Sequence, residues 1–350
     1  MPVALVKIGS RVIGAGQKPY IIAEMSGNHN GDLSRALAIM EAAKKAGADA
    51  VKLQTYTPGT MTIDCERPEF QITGGPWAGH SLYDLYRGAH TPWDWHEALF
   101  AKGRELEITV FSTPFDKTAV DFLEGLDCPA YKIASFENAD LELISHAAAT
   151  GKPLIISTGM ADHDEIAEAV ETARDGGCGE LALLHCVSAY PTPAQQSHLL
   201  TIPSYADEFH LPIGLSDHSL GTAVAVASIS LGATMVEKHF TLSRADGGSD
   251  AAFSLEPDEF AALCRDCVTA WQALGSVNGA SPDAEASRIF RRSLYVVADV
   301  VAGDALSEVN VRSIRPGWGL APKHLPELRG RIFIHDVPRG TALDWSMLES

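Results

Sequence analysis

The chain has 350 residues, 46% of them hydrophobic, and a formal net charge of −18. That is enough apolar material for one large core and a small second one, and so acidic a balance excludes nonspecific attraction to nucleic acid. No run approaches about 18 uninterrupted apolar residues, and MPVALVKIGSR has no long apolar stretch before a cleavage site, so the expectation is a cytoplasmic protein, neither membrane-inserted nor secreted.

In chain order, Val3 to Gly16 predicts a hairpin that caps the floor of the unit that follows. Eight short apolar runs come next: Tyr20 to Glu24, Ala50 to Gln54, Ile108 to Thr113, Ala130 to Ser135, Pro153 to Ser157, Leu181 to Cys186, Ile213 to His218 and Met235 to His239. Each ends in polar or ionisable side chains, and most lead into a helical stretch. A β run followed by a helical run, repeated, implies right-handed crossovers and a parallel sheet; eight such units predict an α/β fold, a closed (β/α)8 TIM barrel. The crossover between the second and third runs is unusually long and contains ITGGPWAGHSLYDLYRGAHTPWDWHEALF. An insertion of this kind shapes or covers a substrate pocket, and Pro92 starts a helix in it that Trp93 and Trp95 pack. The barrel runs on to a helix around Pro257 to Leu274. Within it, Cys264 and Cys267 form a CxxC with no second pair; structural zinc needs four protein ligands, so they are read as packing residues and all six cysteines as reduced. Gly275 to Ser287, small, polar and broken by Pro282, predicts a linker. Residues 288–350 hold β-like runs at Leu294 to Val297, Val311 to Ile314 and Arg331 to His335 between Gly and Pro turns. The expected division is a catalytic barrel over 1–274, a linker over 275–287 and a small β-rich domain over 288–350.

In a TIM barrel the C-terminal strand ends form the active site. The side chains collected there are Glu24, Lys52, Gln54, Thr113, Lys132, Ser135, Ser157, His185, Ser216, His218, Glu237 and His239. Two lysines on one rim of an acidic protein, with hydroxyls at Thr113, Ser135, Ser157 and Ser216, predict a phosphate site; a salt bridge inside the mouth is the other reading of Lys52. His218 and His239 end consecutive strands, and two neutral imidazoles describe an open, Lewis-acid metal site rather than a structural one. His185 is a weaker candidate that supports the site from behind. Glu24 handles a proton, pairs with Lys52, or does both. After the last strand, the acidic loop ADGGSD offers Asp250 to sugar hydroxyls or amides.

The ordered motifs IAEMSGNHNGD, VKLQTY, FSTPFD, YKIASFE, ISTGM, HCVSAYPTP, GLSDHS, EKHFT and RPGWG resemble the sialic acid synthase family over nearly the whole chain, most closely its pseudaminic branch. That resemblance implies a TIM barrel followed by a small β-rich antifreeze-like (SAF) domain. It also implies a transferase that condenses phosphoenolpyruvate with an open-chain amino sugar and water, giving a nine-carbon keto acid and phosphate. Carried over by position, it puts phosphoenolpyruvate on Lys52, Thr113, Lys132, Ser135, Ser157 and Ser216, and the sugar on Gln54, Ser188, Tyr190 and Asp250. His218 and His239 become the ligands of a divalent metal, Mn2+ first with Mg2+ or Co2+ as alternatives, and Glu24 becomes the catalytic carboxylate. Arg315, in IRPGWG, corresponds to an arginine that the small domain extends into the partner subunit's barrel, which implies a homodimer with domain-exchanged sites. Ser188 stands where N-acetylneuraminate-forming relatives have Asn, so the sugar implied is 2,4-diacetamido-2,4,6-trideoxy-L-altrose and the product pseudaminic acid. Rival readings are the same chemistry giving N-acetylneuraminic or legionaminic acid, a metal-dependent aldolase, and a noncatalytic carbohydrate- or ice-binding protein.

Overall fold

The computed structural model describes residues 4–75, 77–277, 279 and 282–349. Val3 of the expected hairpin, Pro76 of the long crossover, and Asn278, Ala280 and Ser281 of the expected linker lie outside the described residues. The chain forms two compact units, 1–274 and 275–350.

The first unit opens with an antiparallel hairpin, β1 (Val6–Ile8) and β2 (Arg11–Ile13). Its neighbours are residues that precede barrel strands: Ala4 N donates to His210 O and Lys7 N to Glu180 Oε1, both at 3.1 Å. The hairpin therefore lies at the floor, opposite the strand ends that carry chemistry.

Eight parallel strands close the barrel in sequence order: β3 (Tyr20–Glu24), β4 (Ala50–Thr55), β5 (Thr109–Pro114), β6 (Tyr131–Ile133), β7 (Leu154–Ser157), β8 (Leu181–Cys186), β9 (Ile213–Asp217) and β10 (Met235–His239), with β10 pairing back to β3. Almost every strand residue is buried, the signature of a sheet covered by helices outside and filled by side chains inside. The covering helices are α1 (Leu33–Ala46), α4 (His96–Glu105), α5 (Lys117–Glu124), α6 (Leu141–Ala148), α7 (His163–Asp175), α8 (Thr201–Phe209), α9 (Ala223–Ser230) and α10 (Pro257–Leu274). Local sequence starts several of them the same way. Asp32, Asp116, Asp140 and Asp162 each accept from backbone N–H groups of the first turn, meeting donors that the helix itself cannot. Gly47 ends α1 at φ 97°, with Lys44 and Lys45 in the last turn. Gly214 is required by packing: a Cβ there would stand 2.6 Å from Leu184 Cδ2 and 2.8 Å from Met235 Cβ, so only glycine lets β9 sit this close to its neighbours. Cys264 and Cys267 lie on α10's inner face, buried in the core.

The long crossover holds α2 (Pro58–Met61) and α3 (Leu82–Ala89), then a 3-10 turn at Trp93–Trp95 that leads into α4. Trp93 stacks on Phe122 at 4.5 Å and Trp95 meets His29 edge-on at 5.3 Å, so both pack as expected.

The second unit contains α11 (Pro282–Ala286), β11 (Ser293–Val296), β12 (Val311–Ile314) and α12 (Leu325–Leu328) around a core that includes Leu294, Val296, Val311, Leu328 and Phe333. Two departures from the sequence reading appear in local structure. A short helix, α11, occupies part of the stretch expected as a linker. Arg331 to His335 makes only isolated bridges, Ile332 to Ala305 and Phe333 to Leu348, instead of a continuous strand, because each neighbour runs beside it for too few residues to extend a ladder. No helix among the described residues is long and apolar enough to cross a membrane.

Candidate active site

Strand alternation sorts the rim residues. On β4, Lys52 and Gln54 face the barrel interior; on β9 and its end, Ser216 and His218 do; on β10, Glu237 and His239. These six, with Glu24, Thr113, Lys132, Ser135, Cys186 and Tyr190, line one inner chamber at the C-terminal end of the barrel.

Its floor is a quartet of two carboxylates and two ammonium groups. Lys52 Nζ lies 2.6 Å from Glu24 Oε2 and 3.7 Å from Glu237 Oε1, while Lys132 Nζ donates to Glu237 Oε1 at 2.7 Å. Hydroxyls complete it: Lys52 Nζ donates to Thr113 Oγ1 at 3.1 Å and Ser216 Oγ to Glu237 Oε1 at 3.3 Å. Both readings of Lys52, anion ligand and ion-pair partner, thus concern one position. Burial treats the two carboxyls unequally. It raises Glu24 above the usual carboxylate range, with Lys52 pulling against it and Glu237 adding to it. For Glu237 burial pushes the same way, but the adjacent Lys132 and Lys52 ammoniums outweigh it and hold the group below its ordinary value. Glu24 is thus the more readily protonated of the two and Glu237 the less. Gln54 Nε2 donates to Glu24 Oε1 at 2.9 Å and orients it.

His218 and His239 stand side by side, ring centroids 5.4 Å apart. His218 Nδ1 is 3.1 Å from Val187 O; a carbonyl only accepts, so Nδ1 carries the proton and the Nε2 lone pair is free to ligate. His239 Nδ1 is buried with no hydrogen-bond partner. Burial, then the positive charges nearby, holds the His239 imidazole neutral, well below its usual range. Burial lowers His218 as well, but the adjacent Cys186 sulfur and the Val187 carbonyl outweigh it and raise that group, so His239 is the imidazole held neutral; the two rings side by side suit a divalent cation. Two imidazole donors alone would leave coordination positions open; among the described residues no group of three or more His, Cys, Asp or Glu is placed to hold a metal ion.

The inner chamber opens into a wider one, about 830 Å3 of empty space. Its character is different. Tyr56, Met61, Trp77, Leu85, Tyr86, Ala89, Phe115 and Phe136 give it a largely apolar, aromatic wall, supplied chiefly by the long crossover. Ser26, Glu137, Ser249 and Asp250 are its polar points. Ser26 Oγ donates to Asp250 Oδ2, and burial pushes the Asp250 carboxyl up to about 6. Trp77 Nε1 donates to Ser249 O at 2.7 Å and its ring lies 5.5 Å from that of Tyr190, tying the crossover to the loop after β10.

Of the residues singled out from sequence, Glu24, Lys52, Gln54, Thr113, Lys132, Ser135, Tyr190, Ser216, His218 and His239 converge on the inner chamber and Asp250 on the outer. Ser157 faces the barrel interior but lies outside the wall of either chamber, its buried Oγ without a partner. Ser188 also lies outside that wall, packed so tightly that a Cβ on Gly159 would come 2.5 Å from its Oγ and 2.3 Å from Ser135. His185 points the other way from Cys186, donating from Nε2 to Ser197 O at 2.7 Å, behind the site as expected. Arg315 follows β12 in the second unit and is exposed. Two residues went without a role in the sequence reading. Glu237 is the counterion of both lysines; the signal was its spacing, two residues before His239 on one strand and hence on the same face. Glu137, two residues after Ser135 in YKIASFE, is pushed up to about 7 by burial, against the pull of Lys132.

Comparison with known proteins gives the same picture over the whole length. Residues 39–279 match the NeuB family and residues 291–349 the SAF domain. Pseudaminic acid synthase of Helicobacter pylori is 42% identical over 317 residues, covering 90% of this chain and 93% of that protein. N,N'-diacetyllegionaminic acid synthase of Legionella pneumophila is 35% identical, covering 98% of each. Among solved structures, N-acetylneuraminic acid synthetase of Leptospira borgpetersenii in complex with citrate superposes with a TM-score of 0.74 at 29% identity, over 81% of this chain and 95% of that one.

Proposed function

The chain belongs to the NeuB family, and from that membership we propose that it makes pseudaminic acid, condensing phosphoenolpyruvate with 2,4-diacetamido-2,4,6-trideoxy-L-altrose and water and releasing phosphate. The observation that carries this reading is the two-part site: an inner chamber of lysines, hydroxyls and paired imidazoles that opens directly into an apolar, aromatic outer chamber. The inner part suits a small phosphorylated acid. The outer part suits a sugar that has lost its 6-hydroxyl and carries two acetamido methyls, groups that gain from aromatic and aliphatic contact.

In this reading Lys52 and Lys132, with Thr113, Ser135, Ser157 and Ser216, hold phosphoenolpyruvate. Gln54, Ser188, Tyr190 and Asp250 orient the sugar, Ser188 from beside Gly159, outside the chamber walls. His218 and His239 hold a divalent cation, Mn2+ by preference, which when bound supplies Lewis-acid polarisation of the sugar's aldehyde. Glu24, its carboxyl raised by burial, is the group that moves a proton as water adds at C2 and the C–O bond to phosphate breaks. Tyr190, 4.4 Å from the His218 ring, closes the inner chamber over the reacting carbon.

The site is completed by a second copy, whose Arg315 reaches in. Support comes from the barrel rim, where Phe136, Met160 and Leu220, on the loops after β6, β7 and β9, are 61%, 63% and 66% exposed. Large exposed apolar side chains on three loops of one rim mark a surface that another chain covers. The cytoplasm suits six cysteines that are all unpaired.

The test is to incubate the protein with phosphoenolpyruvate, Mn2+ and a panel of sugars, measuring phosphate and keto acid. The diacetamido L-altro sugar is expected to give the highest kcat/KM. An equal or higher value for N-acetylmannosamine overturns the assignment.

A further inference from the structure

Lys238 and Asp217 sit one residue away from each of the two imidazoles, on the opposite face of the same strands. Asp217 lies between Ser216 and His218, Lys238 between Glu237 and His239; with the chamber residues facing in, these two face out, into the layer between barrel and helices. Lys238 is fully buried and Asp217 is 4% exposed. There, burial first and then the charges of Asp266 and Asp217 push the α10 thiol of Cys267 up to about 12, which places the pair under that helix.

The geometry is a closed ring of bonds around His218. Lys238 Nζ lies 2.6 Å from Asp217 Oδ2 and also donates to Ser219 O; Asp217 Oδ1 accepts from Ser219 N at 2.9 Å. One ammonium therefore grips the residue before His218 and the residue after it. Lys238 and Asp217 are the last register pair of the β9–β10 ladder, so His218 stands one residue beyond it. On the β8 side its carbonyl is held by Thr192 N at 3.0 Å, while on the β10 side the Lys238 side chain takes over from the ladder. His239, next in sequence to Lys238, is fixed by its own pairing with Glu24.

A charged pair in this layer is not explained by stability. Replacing a buried ion pair by apolar side chains of similar volume is often neutral or stabilising, whereas fixing one arrangement is the better attested use of such pairs. We propose that Lys238 and Asp217 are positioning residues that set the separation of the His218 and His239 imidazoles and thereby the affinity for the divalent cation. This rests on the reading that those imidazoles hold the cation.

The experiment measures Mn2+ binding to metal-free protein by titration calorimetry and by the loss of free-Mn2+ paramagnetic resonance, beside thermal unfolding and phosphoenolpyruvate affinity. Lys238→Met is expected to weaken Mn2+ binding roughly 10- to 100-fold, the usual scale for groups that orient metal ligands. Asp217→Asn, which keeps an acceptor for Ser219 N, should lose less. The double change Asp217→Leu with Lys238→Met removes both charges together, so it tests the idea even where Lys238→Met alone fails to fold. It should fold and still bind Mn2+ weakly, with phosphoenolpyruvate affinity within about twofold of wild type. A folded double variant with wild-type Mn2+ affinity overturns the proposal, as does one that loses both ligands equally. His239→Ala is the separate control: undiminished Mn2+ binding there sinks the metal reading itself, while its loss alongside an unaffected double variant sinks only the positioning role.

Discussion

Glu24 and Glu237 share the Lys52 ammonium in one chamber, yet one is raised and the other lowered, because Lys132 touches only Glu237. Division of labour between two carboxyls follows from that asymmetry. Glu24→Gln keeps shape and removes the ionisable group, so kcat should fall about 100-fold or more in steady-state assays while phosphoenolpyruvate binding changes less. An unaltered kcat would reduce Glu24 to the partner of Lys52. Glu137 gives a prediction in pH. Its carboxyl, ordinarily titrating at 4.5, is raised to about 7 by burial. Between those values the folded chain holds the proton and the unfolded chain does not, so this stabilisation is complete below 4.5 and is lost as pH rises through about 7. Glu137→Gln is neutral throughout, and its Tm relative to wild type should therefore climb from pH 5 to pH 8. A difference that stays flat would show that the buried carboxyl does not titrate there.

Among elements, α3 most clearly separates recognition from chemistry. It lends Leu85, Tyr86 and Ala89 to the outer chamber and contributes nothing to the quartet. Leu85→Ser combined with Tyr86→Ser should lower kcat/KM for the diacetamido sugar by about tenfold or more, the scale of lost apolar contacts in a specificity pocket, with the KM for phosphoenolpyruvate within about twofold. Equal losses for both substrates would mean that α3 supports the whole mouth. The barrel strands were legible in sequence because their burial makes them continuous apolar runs, and their chemistry was legible because polar residues interrupt those runs only at the C-terminal ends. Glu237 and Glu137 were harder to see. The role of Glu237 depends on the lysines it meets across the barrel, and that of Glu137 on how deeply the loop after β6 buries it, and no spacing within one strand states either. Ser188 shows the converse: a position singled out by likeness whose side chain packs against Gly159 and Ser135 instead of lining a chamber.

At the scale of the whole molecule, the motifs that resembled sialic acid synthases, all but IAEMSGNHNGD, fall within the residues that match the NeuB and SAF families. The fold and the family were therefore readable from the chain alone. Assembly is a matter between chains, and the proposed exchange of Arg315 makes it testable. Glu24→Ala and Arg315→Ala proteins are each expected to be inactive, and mixing them under conditions of subunit exchange should restore up to roughly a quarter of wild-type turnover, since each two-fold heterodimer then holds one intact site. Verified heterodimers without activity would put Arg315 in its own chain's site or outside catalysis.

The quartet at the chamber floor also carries a thermodynamic signature. Lys52 lies against Glu24 and Lys132 against Glu237, so while both carboxyls are ionised the empty chamber has no spare positive charge to offer a polyanion. An arriving phosphate ester can take the ammoniums only by displacing a carboxylate, and Glu24, already raised, is the one that neutralises by binding a proton. Association and proton uptake are then a single event. Calorimetric titrations of phosphoenolpyruvate in buffers of different ionisation enthalpy should give apparent enthalpies that change in proportion, and affinity should tighten as pH falls.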